Sequence, residues 1–277
     1  MKQRIKSMIE LSLRSFDIEI ASYGSLQKLQ AEKQKLRAEL KKLKEKAIDI
    51  DLLLTLPNEQ ASELLKNLGK SQSQLRQDLF VLSELNFKNN GYFVEFGATN
   101  GVNLSNTYLL EKEFGWTGIL AEPAICWHDD LKINRSAKIE TRCVWKDSKS
   151  TLNFNEVSEF STINSYSDSD FHKVRRKKGN NYEVQTISLN ELLEKHQAPA
   201  DIDYLSIDTE GSEFEILNYF DFSKHSFKVI TCEHNFTPMR EKIFELLVKN
   251  GYVRKFENLS YFDDWYVRAD IAMNQPL

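Results

Sequence analysis

Three patterns of apolar and polar residues follow one another along the chain. Residues 5 to 20 place Ile5, Met8, Ile9, Leu13, Phe16 and Ile20 at helical spacings, which predicts an amphipathic helix interrupted near Gly24. From Leu26 a heptad takes over, with Leu26, Lys33, Leu40 and Ala47 in one column and Leu29, Leu36, Leu43 and Ile50 in the other. Such a seam with charges between its positions predicts a coiled coil over residues 26–50, and Lys33 within it would set register or strand number. The same pattern also suits a single long helix packed on its own body. Pro57 closes this arm. Short helices are expected over residues 59–68, stopped by Gly69, and over 71–87, where Leu75, Leu79, Leu82 and Leu85 share a face.

From Gly91 the pattern switches to strands alternating with helices. Tyr92 to Phe96 is an apolar, aromatic and β-branched run bounded by Gly91 and Gly97, and it predicts a central strand. A helix is expected to open at Val102, because Leu104 and Tyr108, and Leu110 and Phe114, stand four apart. Further strands are expected at 117–121, 138–142, 202–207, 227–232, 252–256 and 260–267, with helices at 188–196 and 238–249. Ser188 with Glu191 three positions later reads as a capping box at the first of those helices. Residues 146–187 break the alternation, with β segments at 151–157 and 182–187 framing a polar loop. The expected fold is α/β and Rossmann-like, a mostly parallel seven-stranded sheet with helices on both faces and an N-terminal coiled-coil arm. The expected boundaries are 1–56 for the amphipathic helix and coiled coil, 57–90 for a helical lead-in, and 91–277 for the α/β domain.

Composition narrows the function classes. The chain has 277 residues, 41% hydrophobic and 28% charged, enough to bury a full core. Residues 1–50 carry 12 Lys/Arg against 7 Asp/Glu, a net +5, which leaves −9 of the total −4 on the remainder. A basic arm on an acidic body is the reverse of a nucleic-acid-binding domain, which concentrates basic charge on its folded surface. The arm could instead attract an acidic membrane surface or a glycan-assembly complex. Cys126, Cys143 and Cys232 are odd in number and widely spaced, which suggests reduced thiols and no zinc site. With no apolar run near the roughly 18 residues of a membrane span, and charges puncturing residues 1–20, a cytoplasmic protein is expected, with peripheral contact at the inner face of the membrane as its membrane option.

The chemistry lies where strands end. The first strand ends in Glu95-Phe96-Gly97-Ala98-Thr99-Asn100-Gly101, which lacks the G-x-G-x-x-G spacing that cradles a dinucleotide pyrophosphate. A carboxylate two residues before the turn repels phosphate and pairs with an ammonium, which points away from NAD and toward S-adenosyl-L-methionine. Glu122-Pro123 ends the second strand, where an acid can accept hydrogen bonds from a ribose diol. Cys143-Val144-Trp145 falls where an adenine face could be covered. Asp208-Thr209-Glu210-Gly211 and Glu233-His234-Asn235 end two later strands, so polar residues collect at one edge of the sheet. Asp208 and His234 are rival general bases, with Glu210 and Glu233 placed to orient either. Asp208, Glu210, Glu233 and His234 together could instead bind a divalent cation, the less favoured option. The run Arg175-Arg176-Lys177-Lys178 could hold a substrate phosphate or be a solvated loop.

These segments resemble the FkbM family of S-adenosylmethionine-dependent methyltransferases. The matching stretches are Gln77 to Leu82, Phe93 to Gly101, Ala121-Glu122-Pro123, Val184 to Leu189 and Ile207 to Glu213, together covering about residues 71–267. Glu95 and Phe96 stand where the family often has Asp and an aliphatic residue, so charge and bulk are kept. The resemblance implies a class I methyltransferase fold and O-methylation of a sugar, glycan or natural product. Glu95, Phe96, Gly97, Ala98 and Gly101 would hold the methionine part of the cofactor, Glu122 and Pro123 the ribose, and Cys143 the adenine. Asp208, Glu210 and His234 would carry catalysis. A degenerate methyltransferase fold serving as a coiled-coil scaffold is the alternative. The paired acids at the strand tips argue against it.

Overall fold

The computed structural model describes residues 25–40, 43, 46–170 and 172–273, and the chain divides between Ile50 and Asp51 into two units. In the first unit residues 25–40, 43 and 46–50 are helical. Leu26, Leu29, Leu36, Leu40 and Leu43 are all more than half exposed, so the heptad seam is an open apolar stripe. The helix expected over residues 5–20 and its break at Gly24 lie outside the described residues. Among the described residues no helix is long and apolar enough to cross a membrane.

In the second unit, helical residues 51–54 are followed by helix Asn58–Asn67 and then Gln77–Glu84, every residue of which is buried. The latter is shorter than the apolar pattern over 71–87 predicts. Its lead-in is held in a different shape: Arg76 is left-handed at φ 66°, Leu75 N–H donates to Gln77 Oε1, and Asp78 accepts from Ser71 Oγ. Side-chain acceptors so close to the backbone compete with the helical ladder.

Eleven strands are described: β1 Tyr92–Phe96, β2 Thr117–Ala121, β3 Lys138–Glu140, β4 Cys143–Trp145, β5 Thr151–Glu156, β6 Thr162–Ile163, β7 Asn180–Ser188, β8 Asp201–Ile207, β9 Ser226–Glu233, β10 Tyr252–Lys255 and β11 Asp263–Arg268. Seven form the main sheet in the order β10-β11-β9-β8-β1-β2-β3. Pairing is parallel from β3 through β9, whereas β11 runs antiparallel to both neighbours, so the sheet is mixed. The strand order reverses between β1 and β8, which opens a crevice at their carboxyl ends. A second sheet, β4-β7-β5-β6, occupies residues 143–188, where a framed polar loop was the expectation.

Alternation along the strands sorts the side chains. Val94, Phe96, Leu205, Ile207, Ile230 and Cys232 pack on one face against Leu192, Leu193, Ile216, Leu217, Ile243 and Leu247 of helices Leu189–Lys195, Glu213–Asn218 and Met239–Lys249. Ser188 caps the first of these by accepting from Glu191 N–H at 3.2 Å, as its spacing predicts. The opposite face carries Phe93, Glu95, Ser206 and Glu233, and there helix Gln77–Glu84 stacks Phe80 on Trp265 of β11 at 4.6 Å. One consequence governs the site. Every acid on this second face at the carboxyl edge of the parallel strands points toward the same crevice.

Candidate active site

Glu95 is the penultimate residue of β1, buried, with both oxygens engaged. It accepts from Asn106 N–H at 2.7 Å, Ser105 Oγ at 3.0 Å and Thr107 Oγ1 at 2.5 Å. Residues 101–107 therefore wrap around the carboxylate, and the helix starts only at Tyr108 instead of Val102. Beneath the loop Arg135, its side chain fully buried, donates to Gly101 O, Ser105 Oγ, Thr107 Oγ1 and Glu111 Oε2. Asn106 Nδ2 donates to Ser206 Oγ on β8, while Asn106 Oδ1 is buried with no hydrogen-bond partner. That orphaned acceptor can take a donor, beside a Glu95 whose Oε2 lies 3.7 Å from Arg135 Nη1.

Glu122 ends β2 and accepts from Thr99 N–H and Ala124 N–H, each at 2.8 Å. Its pKa is pushed up to about 7 by burial above all, with the two N–H donors opposing. Gly97 explains the closeness of the β1 and β8 tips: a Cβ built on it would lie 2.1 Å from Asp208 O, and its φ of +74° is left-handed.

At the ends of β8 and β9, carboxylate oxygens of Asp208, Glu210 and Glu233 lie within 4.8 Å of one another. Burial pushes Asp208 up to about 7, the hydrogen bond with Glu233 pulls it back, and the charges of Glu213 and Glu95 add to the rise. Glu210 rises to about 9 through burial and the charge of Asp208, opposed by Arg176. Glu233 rises well above its ordinary range through burial and the charges of Asp208 and Glu210. Asp263, the first residue of β11, lies cross-strand from Glu233 and accepts from Gln77 Nε2 at 2.9 Å. Glu213 takes no part in this cluster's hydrogen bonds; it accepts from Thr209 and Gly211 N–H and shapes the turn that carries Glu210.

One pocket joins these parts. Glu95, Phe96, Gly97, Glu122, Pro123, Cys143, Asp208 and Glu210 line it together with Gln77, Asn106, Glu233 and Asp263. Among the described residues no Lys, Arg or His lines it. Residues 95–264 match the methyltransferase FkbM domain family, more than half of the chain. The chain belongs to the FkbM methyltransferase family.

Among solved structures this FkbM-family chain is similar to the methyltransferase FkbM from Methylobacillus flagellatus KT at 11% identity and TM-score 0.43, covering 80% of this chain and 58% of that one. It is also similar to a precorrin-6y C5,15-methyltransferase from Geobacter metallireducens GS-15 at 12% identity and TM-score 0.38, covering 69% and 85%. No curated protein matches it by sequence.

Three of the expected site residues stand apart from the pocket. Ala98 is buried behind the loop, and Gly101 packs against Leu131 and Arg135, where its Cβ would meet Arg135 Cγ at 2.5 Å. His234 follows Glu233, so alternation turns it to the other face of the sheet, beside Asp264, with its Nδ1 accepting from Phe236 N–H. Burial drives its pKa down to about 4, Asp264 opposing. It therefore stands outside both the general-base geometry and the carboxylate cluster. The Arg175 to Lys178 run is no phosphate clamp on this face either: Arg176 has a fully buried side chain that donates to Asp170 at 2.9 Å and Glu210 at 2.7 Å. Cys143 is a wall residue whose thiol burial pushes up to about 12.

Proposed function

We propose that this protein is an S-adenosylmethionine-dependent O-methyltransferase acting on a hydroxyl of a sugar, glycan or related natural product. The observation that carries the reading is the continuity of the pocket, from the β1 loop and Glu122 to the acids at the β8 and β9 tips. The residues fit the cofactor. Glu95 and the orphaned Asn106 Oδ1 offer acceptors for its ammonium, and Glu122 keeps lone pairs for a ribose diol. Pro123 and Cys143 supply walls for the base.

When bound, S-adenosylmethionine supplies an electrophilic methyl whose bond to sulfur breaks, the electron pair staying on sulfur, as the carbon–oxygen bond forms. The chain's part is to align the acceptor and to take its proton. Asp208, held near neutrality and hydrogen-bonded to Glu233, is the base best placed to receive it. The wholly acidic and neutral lining disfavours phosphorylated or carboxylated groups next to the reacting hydroxyl, which favours a neutral polyol. The test is transfer of labelled methyl to glycan and nucleotide-sugar pools. Asp208→Asn should lower turnover at least a hundredfold with cofactor binding intact, while His234→Ala leaves the pH profile unchanged. Full turnover in Asp208→Asn would refute the assignment.

The exposed leucine stripe on residues 26–43 supports a second proposal, that the arm self-associates as a coiled coil. Sedimentation of the full chain at micromolar concentration should give an oligomer that Leu36→Lys dissociates. A monomer would refute it.

A further inference from the structure

The carboxylates at the β8 and β9 tips are too many and too close to stand alone. Glu233 and Asp263 face each other across an antiparallel pair, an arrangement in which like charges repel. Asp208 and Glu210 converge on Glu233 from the β8 turn, with all three ligand oxygens within 4.8 Å. Within the group, Arg176 and Asn235 donate to Glu210 Oε2 and Gln77 donates to Asp263 Oδ2. Two acceptors in the group find no donor: Glu233 Oε2 and Asp263 Oδ1 are buried without a hydrogen-bond partner, and Asp263 as a whole is only 3% exposed. Both residues line the same pocket as Asp208 and Glu210.

We infer that Asp208, Glu210, Glu233 and Asp263 form a binding site for a divalent cation such as Mg²⁺ or Mn²⁺. Two oxygens on opposite sides of a cation are separated by twice the metal–oxygen distance, about 4.2 Å for Mg²⁺ and about 4.6–5.2 Å for Ca²⁺. The 4.8 Å bound on Asp208, Glu210 and Glu233 lies inside the Ca²⁺ range and closes on Mg²⁺ with a contraction of about 0.6 Å, and Asp263 adjoins these three in the same pocket. All donors are oxygens, which suits a hard ion. His234, the residue after β9, lies beside Asp264 on the far side of the sheet and supplies no ligand.

The cation's occupancy is independent of the methyl-transfer reading; its use is not. On that reading the ion holds the acceptor oxygen at the cluster and makes its proton more acidic. Chelator-treated full-length protein is titrated with Mn²⁺ alone, without cofactor, by calorimetry and by the loss of free-ion EPR signal. One equivalent should bind, Glu233→Gln and Asp263→Asn should each weaken it at least tenfold, and the remote Asp129→Asn should leave it unchanged. In the unsubstituted protein a hundredfold excess of Mn²⁺ over its Kd should raise Tm by roughly 5 °C, which keeps the test open if a variant fails to fold. No stoichiometric binding, binding unaffected by both substitutions, or no Tm shift overturns the site. Metal binding without methyl transfer would instead overturn the reaction and leave the site standing.

Discussion

Gly97→Ala tests how the two strand tips are brought together. The added Cβ would sit 2.1 Å from Asp208 O, against an ordinary contact of 3.4 Å or more, so the tips must part by over 1 Å. Neither backbone is free to give, because Phe96 and Ile207 are paired in the parallel ladder immediately behind the contact. The residue must also hold φ at +74°, which costs an L side chain about 1–2 kcal/mol. Overpacking adds about 1–3 kcal/mol, so the expected loss is about 2–5 kcal/mol. In urea, with a slope of roughly 2 kcal/mol/M, the midpoint should fall by roughly 1–2.5 M. Gly69→Ala is the control, since its Cβ meets nothing within 4 Å and its φ is not positive. That change should be neutral or stabilising by up to about 1 kcal/mol. A Gly97→Ala midpoint equal to wild type, or one no lower than that of Gly69→Ala, would refute the close-approach argument.

Two further outcomes follow from the buried charges. Asp208, Glu210 and Glu122 have folded pKa values raised to about 7, 9 and 7, above their unfolded values, so the folded state holds protons the unfolded chain has lost. Stability of the metal-free protein should therefore fall as pH rises from 6.5 to 9, on the order of 1 kcal/mol per pH unit. Thermal unfolding across that range checks it, and a Tm that climbs with pH would contradict it. Arg176→Met should cost about 3–5 kcal/mol in denaturant, because it removes the buried guanidinium that pairs with the side chains of both Asp170 and Glu210. A loss below about 1 kcal/mol would mean the guanidinium is not what holds those carboxylates.

Much of the site is legible before the fold is known, wherever the chemistry falls at the end of a parallel strand. Glu95, Glu122 and Asp208 were found because apolar runs stop at them and glycine or proline follows. Asp263 escapes the same reasoning for a topological cause. β11 is antiparallel, so its first residue, not its last, reaches the carboxyl edge of its neighbours. Which face His234 takes depends on strand register, and a one-residue step past Glu233 puts it behind the sheet. The helix starts later than the spacing of Leu104 and Tyr108 predicts because a tertiary acceptor, Glu95, draws Ser105 to Thr107 out of helical geometry. The basic run was ambiguous in one dimension. Burial of Arg176 between two acids separates it from its exposed neighbours. The second sheet, built within residues 143–188 largely from short strands, leaves only short β segments as its trace.

The pocket along the β1, β2 and β8 tips is proposed to bind S-adenosylmethionine. Calorimetric titration of the full chain with that compound at pH 8 measures it directly. One saturable site per chain is expected, weakened about tenfold or more by Glu122→Gln and by Asn106→Ala. Absence of binding heat and of competition by S-adenosylhomocysteine, or affinity indifferent to both substitutions, would contradict it.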